Sequence, residues 1–453
     1  MRPPAKRLPL ETGVMGSNPI PSAIYLVIMI QNYHIWTIGC QMNMADSERL
    51  ESAMTQMGLT NVETPNDADV IVLNSCVVRQ SAEDRAIGML TSLKPLKQRD
   101  PEKIIALMGC MVGPKTETLE AKYPYADLFM APQQFEPLIE LLGDRMKIDP
   151  EGCIGPLVAK PDVTAYIPIS HGCDKMCSFC IIPYRRGRDV SRDIDEIVRE
   201  TELLVARGVK EVTLLGQNVD SYGHDLTGKP DLSDLLTKIN DIRGLQRIRF
   251  LTSHPNDMTE RIIKSVSSLD KVCEHFNLPF QAGDDKILTR MRRGYTNNEY
   301  RKLVDTIREL VPNVSISTDI IVGFSGESES QFEKTLELVR DIKFDKVHVA
   351  AYSNRPGTIA SRTMEDDVPD EDKQLRLKAI EALQEDVVSK INSKLSNEKI
   401  EILVEGQKRG KWYGRNRNDK LVFFESVDDR TGEMLNVRVK KTGPWSLQGS
   451  LVS

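Results

Sequence analysis

The feature that most restricts the fold of this chain is the alternation of short apolar segments with helical patterns. From Tyr33 to about Met146, three apolar segments each end in a cysteine: YHIWTIGC, DVIVLNSC and KIIALMGC. The stretch MADSERLESAMTQMG follows the first of them and predicts a helix, with Asp46 or Ser47 as its N-cap and Gly58 as its stop. These are βα units, so we predict an open parallel α/β domain over residues 30–150.

The three cysteines that end these segments are Cys40, Cys76 and Cys110. Parallel strands joined by right-handed crossovers place their carboxyl ends at one edge of a sheet. We therefore predict that the three thiols converge on one point, where they could hold an iron–sulfur cluster with one iron left open. Each could instead be an inert buried thiol. Cys153 and Cys273 have no such setting, and we interpret each as a core or linker thiol.

A second series of α/β repeats covers residues 160–392. Six strand-like segments, AYIPI, VTLLG, RIRFL, HFNLPF, SISTDIIVG and KVHVAAY, alternate with helical ones such as DIDEIVRETELLVARG and NNEYRKLVDTIREL. They predict a partial (β/α)6 barrel. A long charged helix, roughly Glu371 to Lys394, leads to five short strand-like segments with turn signals. Residues 395–453 are therefore predicted to form a small β-barrel.

Composition limits the partners and the location of the chain. A net charge of -6 excludes a uniformly basic surface, so any contact with nucleic acid must come from local patches. The 8 cysteines are too dilute for a disulfide scaffold and favour metal sites in a reducing compartment, so we expect a cytoplasmic location. The apolar segment from Ile24 to Ile30 is too short to span a membrane. We expect residues 1–29 to be disordered, or to precede a true start at Met29.

The segment HGCDKMCSFCIIPYRRG, residues 171–187, follows the first predicted barrel strand. Its Cys173, Cys177 and Cys180 form a C-x3-C-x2-C pattern. Thiolates at this spacing can hold three irons of a [4Fe-4S] cube and leave the fourth iron open, which is typical of a catalytic metal centre. Zinc, with His171 as the fourth ligand, is the alternative. The spacing matches none of the common zinc-finger patterns.

This pattern on the first loop of a repeating βα barrel resembles the radical S-adenosylmethionine superfamily. The resemblance implies that the open iron binds the amino and carboxylate groups of S-adenosylmethionine, whose cleavage yields a 5′-deoxyadenosyl radical. The segments LLGQNVDSYG and TDIIVGFSGE stand where that superfamily contacts the cofactor. They imply cofactor binding by Gln217, Asn218 and Gly323. No general acid or base stands out, so no catalytic side chain is assigned.

The chain resembles the methylthiotransferase family, because it combines two three-cysteine sets, this barrel and a terminal β-barrel similar to a TRAM domain. Five segments resemble its branch of tRNA-2-methylthio-N6-dimethylallyladenosine synthases. They are GCQMNMADSERL, NSCVVRQSAEDRAIG, GCDKMCSFCIIPYRRGRDVSR, LPFQAGDDKILTRMRRGYT and GRNRNDKLVFF. Gln41, Met42 and Asn43 distinguish this branch from the others. Ser325 departs from the family pattern, which commonly has proline at that position.

The resemblance implies conversion of N6-isopentenyladenosine at position 37 of tRNA to its 2-methylthio derivative. It also implies two [4Fe-4S] clusters and two uses of S-adenosylmethionine, one to methylate sulfur and one to generate the radical. Two substrates remain as alternatives within the family, threonylcarbamoyladenosine in tRNA and a ribosomal-protein aspartate. Outside the family, the alternative is a non-catalytic zinc-bearing RNA-binding protein.

The segment KRGKWYGRNR near the C-terminus interleaves cations with aromatic rings, a combination with which small β-barrels bind RNA. A solvated strand face is the alternative. The predicted RNA contacts are Lys408, Arg409, Lys411, Trp412, Tyr413, Arg415 and Arg417. Weaker candidates near the barrel mouth are Arg185, Arg186, Arg188, Arg290, Arg292 and Arg293.

By the same resemblance we expect a tRNA anticodon loop carrying isopentenyladenosine as the macromolecular substrate. The reaction also needs an electron donor similar to flavodoxin or ferredoxin. We expect a monomer without membrane attachment.

Overall fold

The structure is a computed structural model that describes residues 30–77, 80–149 and 161–452. The expectations for residues 1–29, for a start at Met29 and for Cys153 lie outside the described residues.

The N-terminal part of the chain forms a five-stranded sheet with the order β2-β1-β3-β4-β5, in which every neighbouring pair is parallel. Its elements are β1 (Asn32–Thr37), α1 (Gln41–Gln56), β2 (Thr60–Asn61), β3 (Val70–Ser75), α2 (Gln80–Arg99), β4 (Ile104–Gly109), α3 (Glu117–Lys122), β5 (Leu128–Met130) and α4 (Glu136–Met146). This confirms the predicted open parallel α/β domain.

Both faces of this sheet are covered, which explains why its strands are apolar without interruption. Along β3, Val70 and Val72 pack with the apolar residues of α1 and α4, whereas Ile71 and Leu73 pack with those of α2. Successive side chains of a strand point to opposite faces, and helices lie on both faces of a parallel sheet. The sheet therefore exposes its functional side chains only at the strand ends.

Helix α1 begins earlier than the sequence predicted. It starts at Gln41 with Cys40 as its N-cap, so the assignment of Asp46 or Ser47 as the cap was wrong. Both side chains are buried inside the helix. Ser47 Oγ lies 2.7 Å from Thr37 Oγ1, and Asp46 faces an arginine of the central domain, so tertiary contacts occupy both polar groups.

The central part is a partial barrel of six parallel strands. Two three-stranded sheets, β10-β9-β6 and β11-β12-β13, are joined by a parallel bridge between Ile248 and Val272. Its elements are β6 (Thr164–Pro168), β7 (Ser170–His171), α5 (Ile182–Arg186), β8 (Val190–Ser191), α6 (Ile194–Ala206), β9 (Glu211–Leu215), a 3-10 helix (Val219–Ser221), α7 (Leu232–Asn240), β10 (Arg247–Phe250), α8 (Glu260–Ser268), β11 (His275–Asn277), α9 (Asp285–Arg290), α10 (Asn297–Leu310), β12 (Ser315–Val322), α11 (Glu329–Ile342), β13 (Lys346–Ala351), α12 (Ile359–Thr363) and α13 (Asp370–Ser393). The predicted partial (β/α)6 barrel is confirmed.

The C-terminal part is a closed five-stranded barrel with the strand order β14-β15-β16-β18-β17. Its strands are β14 (Lys399–Lys408), β15 (Lys411–Arg415), β16 (Leu421–Phe424), β17 (Met434–Thr442) and β18 (Leu447–Leu451). They correspond to the five predicted segments, and the small β-barrel is confirmed.

The turn between β15 and β16 closes the N-terminal ends of the central barrel strands. Arg247 and Arg249 of β10 donate hydrogen bonds of 2.7 and 2.6 Å to the carbonyl oxygens of Arg415 and Asn416. Arg417 forms a two-pronged pair with Glu274, with both N–O distances at 2.7 Å. The opposite, carboxyl ends of the strands are therefore the end left for chemistry.

Within the described ranges, no helix has both the length and the apolar character needed to cross a membrane.

Candidate functional site

The first cysteine set lies at one edge of the N-terminal sheet. Cys40 comes shortly after β1, and Cys76 and Cys110 directly follow β3 and β4. These three strands are neighbours, with Thr37 opposite Asn74 and Ser75 opposite Gly109. The Cys40 and Cys110 thiols are close enough to interact electrostatically. The three cysteines thus lie at one edge of the sheet, as their equivalent positions after parallel strands predicted.

A buried amide fixes the start of α1 against the end of β3. Asn43 Nδ2 donates to Asn74 Oδ1 at 2.8 Å and to the Ser75 carbonyl at 2.9 Å. Asn43 Oδ1 accepts from the Cys40 thiol at 3.4 Å. The Cys40 thiol is therefore held near Cys76 by a side chain that also bonds the end of β3.

Gly109 permits the approach of β4 to β3 just before Cys110. Its φ of +94° lies in the region that favours glycine, and a Cβ at this position would overlap the carbonyl oxygen of Ser75. The Cys110 N–H then donates to that carbonyl at 2.9 Å. The backbone of β3 thus sets the position of the third thiol.

Arg186, from the central domain, reaches this cysteine set. Its Nε donates to Cys110 Sγ at 3.4 Å, and its Nη2 lies 3.6 Å from Asp46 Oδ2. Burial raises the pKa of the Cys110 thiol, and the charge of Arg186 opposes that rise. Burial also raises the pKa of Asp46, against the charges of Arg186 and Arg49. Because Arg186 follows the second cysteine set by only a few residues, this contact joins the two sets.

The second cysteine set lies on the loop after β6 and β7. Removal from water, with the neighbouring thiols, raises the pKa of Cys173 to about 11 and that of Cys180 to about 12. The loop is anchored between them, where the Ser178 N–H donates to the Met291 carbonyl at 3.0 Å and its hydroxyl to the Arg290 carbonyl at 2.7 Å. The three thiols therefore sit together on a fixed loop at the carboxyl ends of the barrel strands.

Arg293 lies beneath this loop and is buried. Its Nη1 donates to Cys177 Sγ at 3.3 Å, while its Nη2 and Nε bond the Pro279 carbonyl and the Tyr295 hydroxyl. The sequence indicated Arg293 as a cation that could reach RNA. That expectation was wrong, because the side chain is enclosed and committed to the cysteine loop.

The donor sets fit iron–sulfur cubes better than a single zinc ion. Zinc needs four ligands that converge on one ion, whereas the thiolates around a cube bind different irons. Among the described residues, no three cysteine, histidine, aspartate or glutamate side chains are placed to bind one metal ion. His171 belongs to the two-residue strand β7, where it pairs with Val190 of β8. Neither guanidinium Nη atom of Arg186 has a hydrogen-bond partner within the described ranges, as expected beside a site that takes a negatively charged group.

The residues predicted to bind the cofactor lie at the carboxyl ends of two strands. Gln217 and Asn218 follow β9, and Gly323 follows β12 with a φ of +70°. Asn218 Nδ2 donates to Asp257 Oδ2 at 2.6 Å, and Lys175 of the cysteine loop pairs with the other oxygen at 2.7 Å. Asp257 thus connects the cysteine loop to the end of β9.

Several buried polar atoms at this end of the barrel have no hydrogen-bond partner within the described ranges: Gln217 Oε1, Asn218 Oδ1, His254 Nε2, Gln281 Oε1 and Ser325 Oγ. A buried polar atom without a partner is costly, so a polar ligand at this end would relieve the cost. The arrangement fits an amino-acid and nucleoside cofactor such as S-adenosylmethionine.

The segment SHPND, residues 253–257, was missed by the sequence analysis. It directly follows β10 and contains the Asp257 described above. Its Ser253 hydroxyl and His254 N–H donate to Asp220 at 3.0 and 2.9 Å. Burial raises the pKa of Asp220 to about 7, and burial lowers that of His254 to about 2. The sequence did carry a signal for this segment, because a group of polar residues at the carboxyl end of a barrel strand indicates a functional site.

The N-terminal domain lies over the carboxyl ends of the central barrel. Met42 and Ala45 of α1 pack on Leu215 at the end of β9. Arg49 contacts both carboxylate oxygens of Glu200 at 3.1 Å, which joins α1 to α6. On the other side, Arg355 pairs with Glu83 of α2 at 2.8 Å. The domain that carries the first cysteine set is therefore packed on the central barrel that carries the second, and Arg186 links the two sets.

The predicted RNA-binding residues divide into two groups. Lys408 and Arg409 are exposed at the tip of the β14–β15 hairpin, and Lys411 follows it. The Tyr413 ring lies on the outside of the barrel, 6.2 Å from the ring of Phe423. These four predicted residues are accessible to a ligand.

The structure does not support RNA contact by the other three. Trp412 is 8% exposed, packs in the barrel core, and donates its indole N–H to the Ser426 carbonyl at 3.1 Å. Arg415 pairs with Glu405 at 2.6 Å, and Arg417 joins the barrel to the central domain. Alternation along β15 turns Trp412 inward and Tyr413 outward. Neighbours in sequence therefore have opposite roles.

Three family models match successive parts of the chain. They are an uncharacterized protein family, UPF0004, at residues 32–131, the radical SAM superfamily at residues 167–339 and the TRAM domain at residues 394–452. The matched ranges fall within the N-terminal sheet domain, the central barrel and the C-terminal barrel.

Curated relatives match nearly the whole chain. A protein of Roseiflexus sp. (strain RS-1) named tRNA-2-methylthio-N(6)-dimethylallyladenosine synthase is 49% identical, over 93% of this chain and 90% of the relative. A protein of the same name from Herpetosiphon aurantiacus is 48% identical, over 93% and 97%. Among solved structures, the radical S-adenosylmethionine methyltransferase TsrM from Kitasatospora setae, with cobalamin and a [4Fe-4S] cluster bound, matches with a TM-score of 0.53 and 13% identity, over 85% of this chain and 81% of that chain. The structural match concerns the fold alone.

Proposed function

Because this chain belongs to the tRNA-2-methylthio-N(6)-dimethylallyladenosine synthase family of radical S-adenosylmethionine enzymes, we propose that it converts N6-isopentenyladenosine at position 37 of tRNA to its 2-methylthio derivative. The proposed reaction uses S-adenosylmethionine twice, as the methyl donor to sulfur and as the source of the radical that removes hydrogen from C2 of adenine. The base in a single-stranded loop can be splayed towards the cysteine sets without breaking a duplex.

The observation that carries the proposal is that two sets of three cysteines follow strand carboxyl ends in two domains that are in contact. Cys173, Cys177 and Cys180 would hold the cluster that binds S-adenosylmethionine. Cys40, Cys76 and Cys110 would hold a second cube, which gives the sulfur a place to be methylated. In each set the missing fourth thiolate leaves one iron for a small molecule.

The protein groups around these sets bind, orient and exclude water. Asp257 fixes both Lys175 and Asn218, so the cysteine loop and the end of β9 keep one relative position. Met42 packs on Leu215 at the end of β9, and we propose that this contact helps to exclude solvent from the barrel end. Exclusion of water protects a reactive intermediate from side reactions.

We assign tRNA contact to the exposed group at the hairpin tip and along β15: Lys408, Arg409, Lys411 and Tyr413. Cations that follow phosphates and a ring that stacks on a base suit an unpaired anticodon loop. Binding through phosphates should weaken as salt increases.

We further propose a cytoplasmic monomer with domains at residues 30–150, 160–392 and 395–453. Its electron donor would be a protein similar to flavodoxin or ferredoxin.

An iron count tests the two cysteine sets. Anaerobically purified wild-type chain should contain about eight irons, and the triple variant Cys40→Ala, Cys76→Ala, Cys110→Ala about four. The corresponding variant of Cys173, Cys177 and Cys180 should also retain about four. Cys273→Ala is the matched control and should keep about eight, because the charged neighbours of this buried thiol are Arg249 and Glu211 at the base of the barrel. One zinc and no iron in the wild type would refute the proposal.

Nucleoside mass spectrometry of tRNA from a deletion strain tests the substrate. We expect loss of the 2-methylthio-isopentenyl form and accumulation of isopentenyladenosine. Loss of a methylthio-threonylcarbamoyl form instead would assign the chain to the other tRNA substrate. Unchanged tRNA would contradict a role in tRNA modification.

A further inference from the structure

Each cysteine set has one buried arginine that donates a hydrogen bond to a thiol sulfur. Arg186 Nε lies 3.4 Å from Cys110 Sγ, and Arg293 Nη1 lies 3.3 Å from Cys177 Sγ. The two arginines are 9% and 5% exposed. Neither guanidinium contributes to RNA binding as proposed above, so both need another explanation.

The two arginines reach their sulfurs from different places in the fold. Arg186 ends α5 and crosses from the central domain to the N-terminal domain. Arg293 lies between α9 and α10, within the central barrel. The surroundings also differ, because Arg186 is 3.6 Å from Asp46, whereas the other hydrogen bonds of Arg293 go to the neutral Tyr295 hydroxyl and Pro279 carbonyl. The same contact to sulfur therefore arises twice by independent routes.

A charged side chain is costly to bury without compensation. Asp46 gives partial compensation for Arg186, but both Arg186 Nη atoms and both Asp46 carboxylate oxygens have no hydrogen-bond partner within the described ranges. Thiolates that bind iron are negatively charged, and hydrogen bonds to their sulfurs are among the factors that set a cluster's reduction potential. A nearby fixed positive charge favours the reduced state of the cluster, which carries one more electron.

We propose that Arg186 and Arg293 are positioning residues that each orient one thiolate ligand and raise the reduction potential of the cluster held there. Arg186 acts on the set of Cys40, Cys76 and Cys110, and Arg293 on the set of Cys173, Cys177 and Cys180. The inference rests on the proposed function, because it requires a cluster at each set. The structural alternative is that the arginines only fill space and pair with their neighbours.

The test is a redox titration followed by electron paramagnetic resonance, with one cluster present at a time. In the Cys173→Ala, Cys177→Ala, Cys180→Ala background, Arg186→Met should shift the midpoint potential of the remaining cluster to a more negative value, and Arg293→Met should leave it unchanged. In the background that lacks the other three cysteines, the two results should be reversed. Each arginine variant thus serves as the matched control for the other.

Arg186→Met leaves the Asp46 carboxylate buried without its partner, which could unfold the region. The variant Asp46→Asn with Arg186→Met avoids this problem and is compared with Asp46→Asn alone. Its midpoint potential should again be the more negative of the two. Arg186→Lys keeps the charge but loses the directed donor, and its potential should fall between those of Arg186→Met and its parent.

Unchanged midpoint potentials at full iron content would overturn the inference, as would equal shifts of the near and the remote cluster. An iron content well below two cubes in the wild type would instead contradict the proposed function.

Discussion

At the scale of single residues, Glu48 carries a carboxyl group that the packing of α1 partly shields from water. Burial, together with the negative charges of Asp162 and Glu51, raises the pKa of Glu48 to about 7. Between its ordinary value and pH 7, the folded state binds more protons at this site than the unfolded state does. The contribution of Glu48 to the free energy of unfolding therefore falls as pH rises through this range.

We expect Glu48→Gln to stabilise the fold by about 1 to 2 kcal/mol more at pH 8 than at pH 5. Urea unfolding at the two pH values measures the difference. Glu140→Gln is the control, since Glu140 is exposed on α4 and its replacement should have the same small effect at both values. Equal effects of the two variants at pH 8 would contradict the burial argument.

The neighbouring rings of β15 give a second test at this scale. Trp412→Ala should lower the unfolding free energy of the C-terminal barrel by about 3 to 5 kcal/mol, the usual cost of removing a core aromatic residue. Tyr413→Ala should leave thermal unfolding nearly unchanged and weaken tRNA binding by about 1 to 3 kcal/mol through loss of a stacked base. Thermal melts and filter binding with isopentenylated tRNA separate the two effects. If the Tyr413→Ala variant binds tRNA as tightly as the wild type, this ring does not contact RNA.

The sequence could predict that the six cysteines fall into two groups, but not the contacts of the arginines near them. Equivalent strand ends place Cys40, Cys76 and Cys110 at one edge whatever the details of packing. Arg186 and Arg293 look like surface cations in the sequence, because their sulfur partners are 76 and 116 residues away. Only the docking of loops and domains shows that these two are buried. The same limit applies to Trp412 and Tyr413, whose inward or outward direction depends on where β15 begins.

At the scale of elements, α10 shows how a local cap can define a helix. Thr296 Oγ1 accepts from the Glu299 N–H at 3.2 Å, and the Glu299 carboxylate accepts from the Thr296 N–H at 2.7 Å. This capping box satisfies two backbone donors that a helix start otherwise leaves unpaired. Thr296→Ala should lower the unfolding free energy by about 1 kcal/mol.

The control is Thr306→Ala on the same helix. The Thr306 hydroxyl bonds the Lys302 carbonyl within the helix, and alanine is the better helix former, so we expect little change or a slight gain. Urea unfolding of both variants provides the measurement. A loss for Thr306→Ala as large as that for Thr296→Ala would show that the box has no special role.

The comparison of α10 with α1 explains which element boundaries the sequence could predict. The predicted segment NNEYRKLVDTIREL coincides with Asn297–Leu310, since the cap and the apolar periodicity agree. In α1, the two residues predicted as caps interact with other parts of the molecule: Ser47 contacts Thr37, and Asp46 faces Arg186. Capping preferences therefore did not predict the start of α1, because tertiary contacts bind the polar side chains in its first turns.

At the scale of the whole molecule, Arg417 is one of several connections between the C-terminal barrel and the base of the central barrel. It bonds both carboxylate oxygens of Glu274 and the carbonyl of Asp270. Charged hydrogen bonds of this kind contribute about 1.5 to 3 kcal/mol each, less where solvent reaches them. Arg417→Ala should therefore loosen the attachment of the C-terminal barrel while its own core stays intact.

Hydrogen exchange measures this loosening directly. We expect amides of residues 415–421 and of the adjoining barrel strand starts to exchange at least about tenfold faster in Arg417→Ala, equivalent to about 1.4 kcal/mol. Arg409→Ala is the matched control, because Arg409 lies exposed at the hairpin tip of the same domain. Unchanged exchange in Arg417→Ala would show that the backbone contacts of Arg247 and Arg249 hold the barrel without it.

The reach of Arg186 into the N-terminal domain has a consequence for the order of events during translation. Cys110 leaves the ribosome 76 residues ahead of Arg186. At a synthesis rate of about 5 to 20 residues per second, Arg186 is therefore synthesised roughly 4 to 15 seconds after Cys110. We therefore expect Cys110 to lack its arginine partner during that interval and to gain it only when the central domain has folded against the N-terminal sheet.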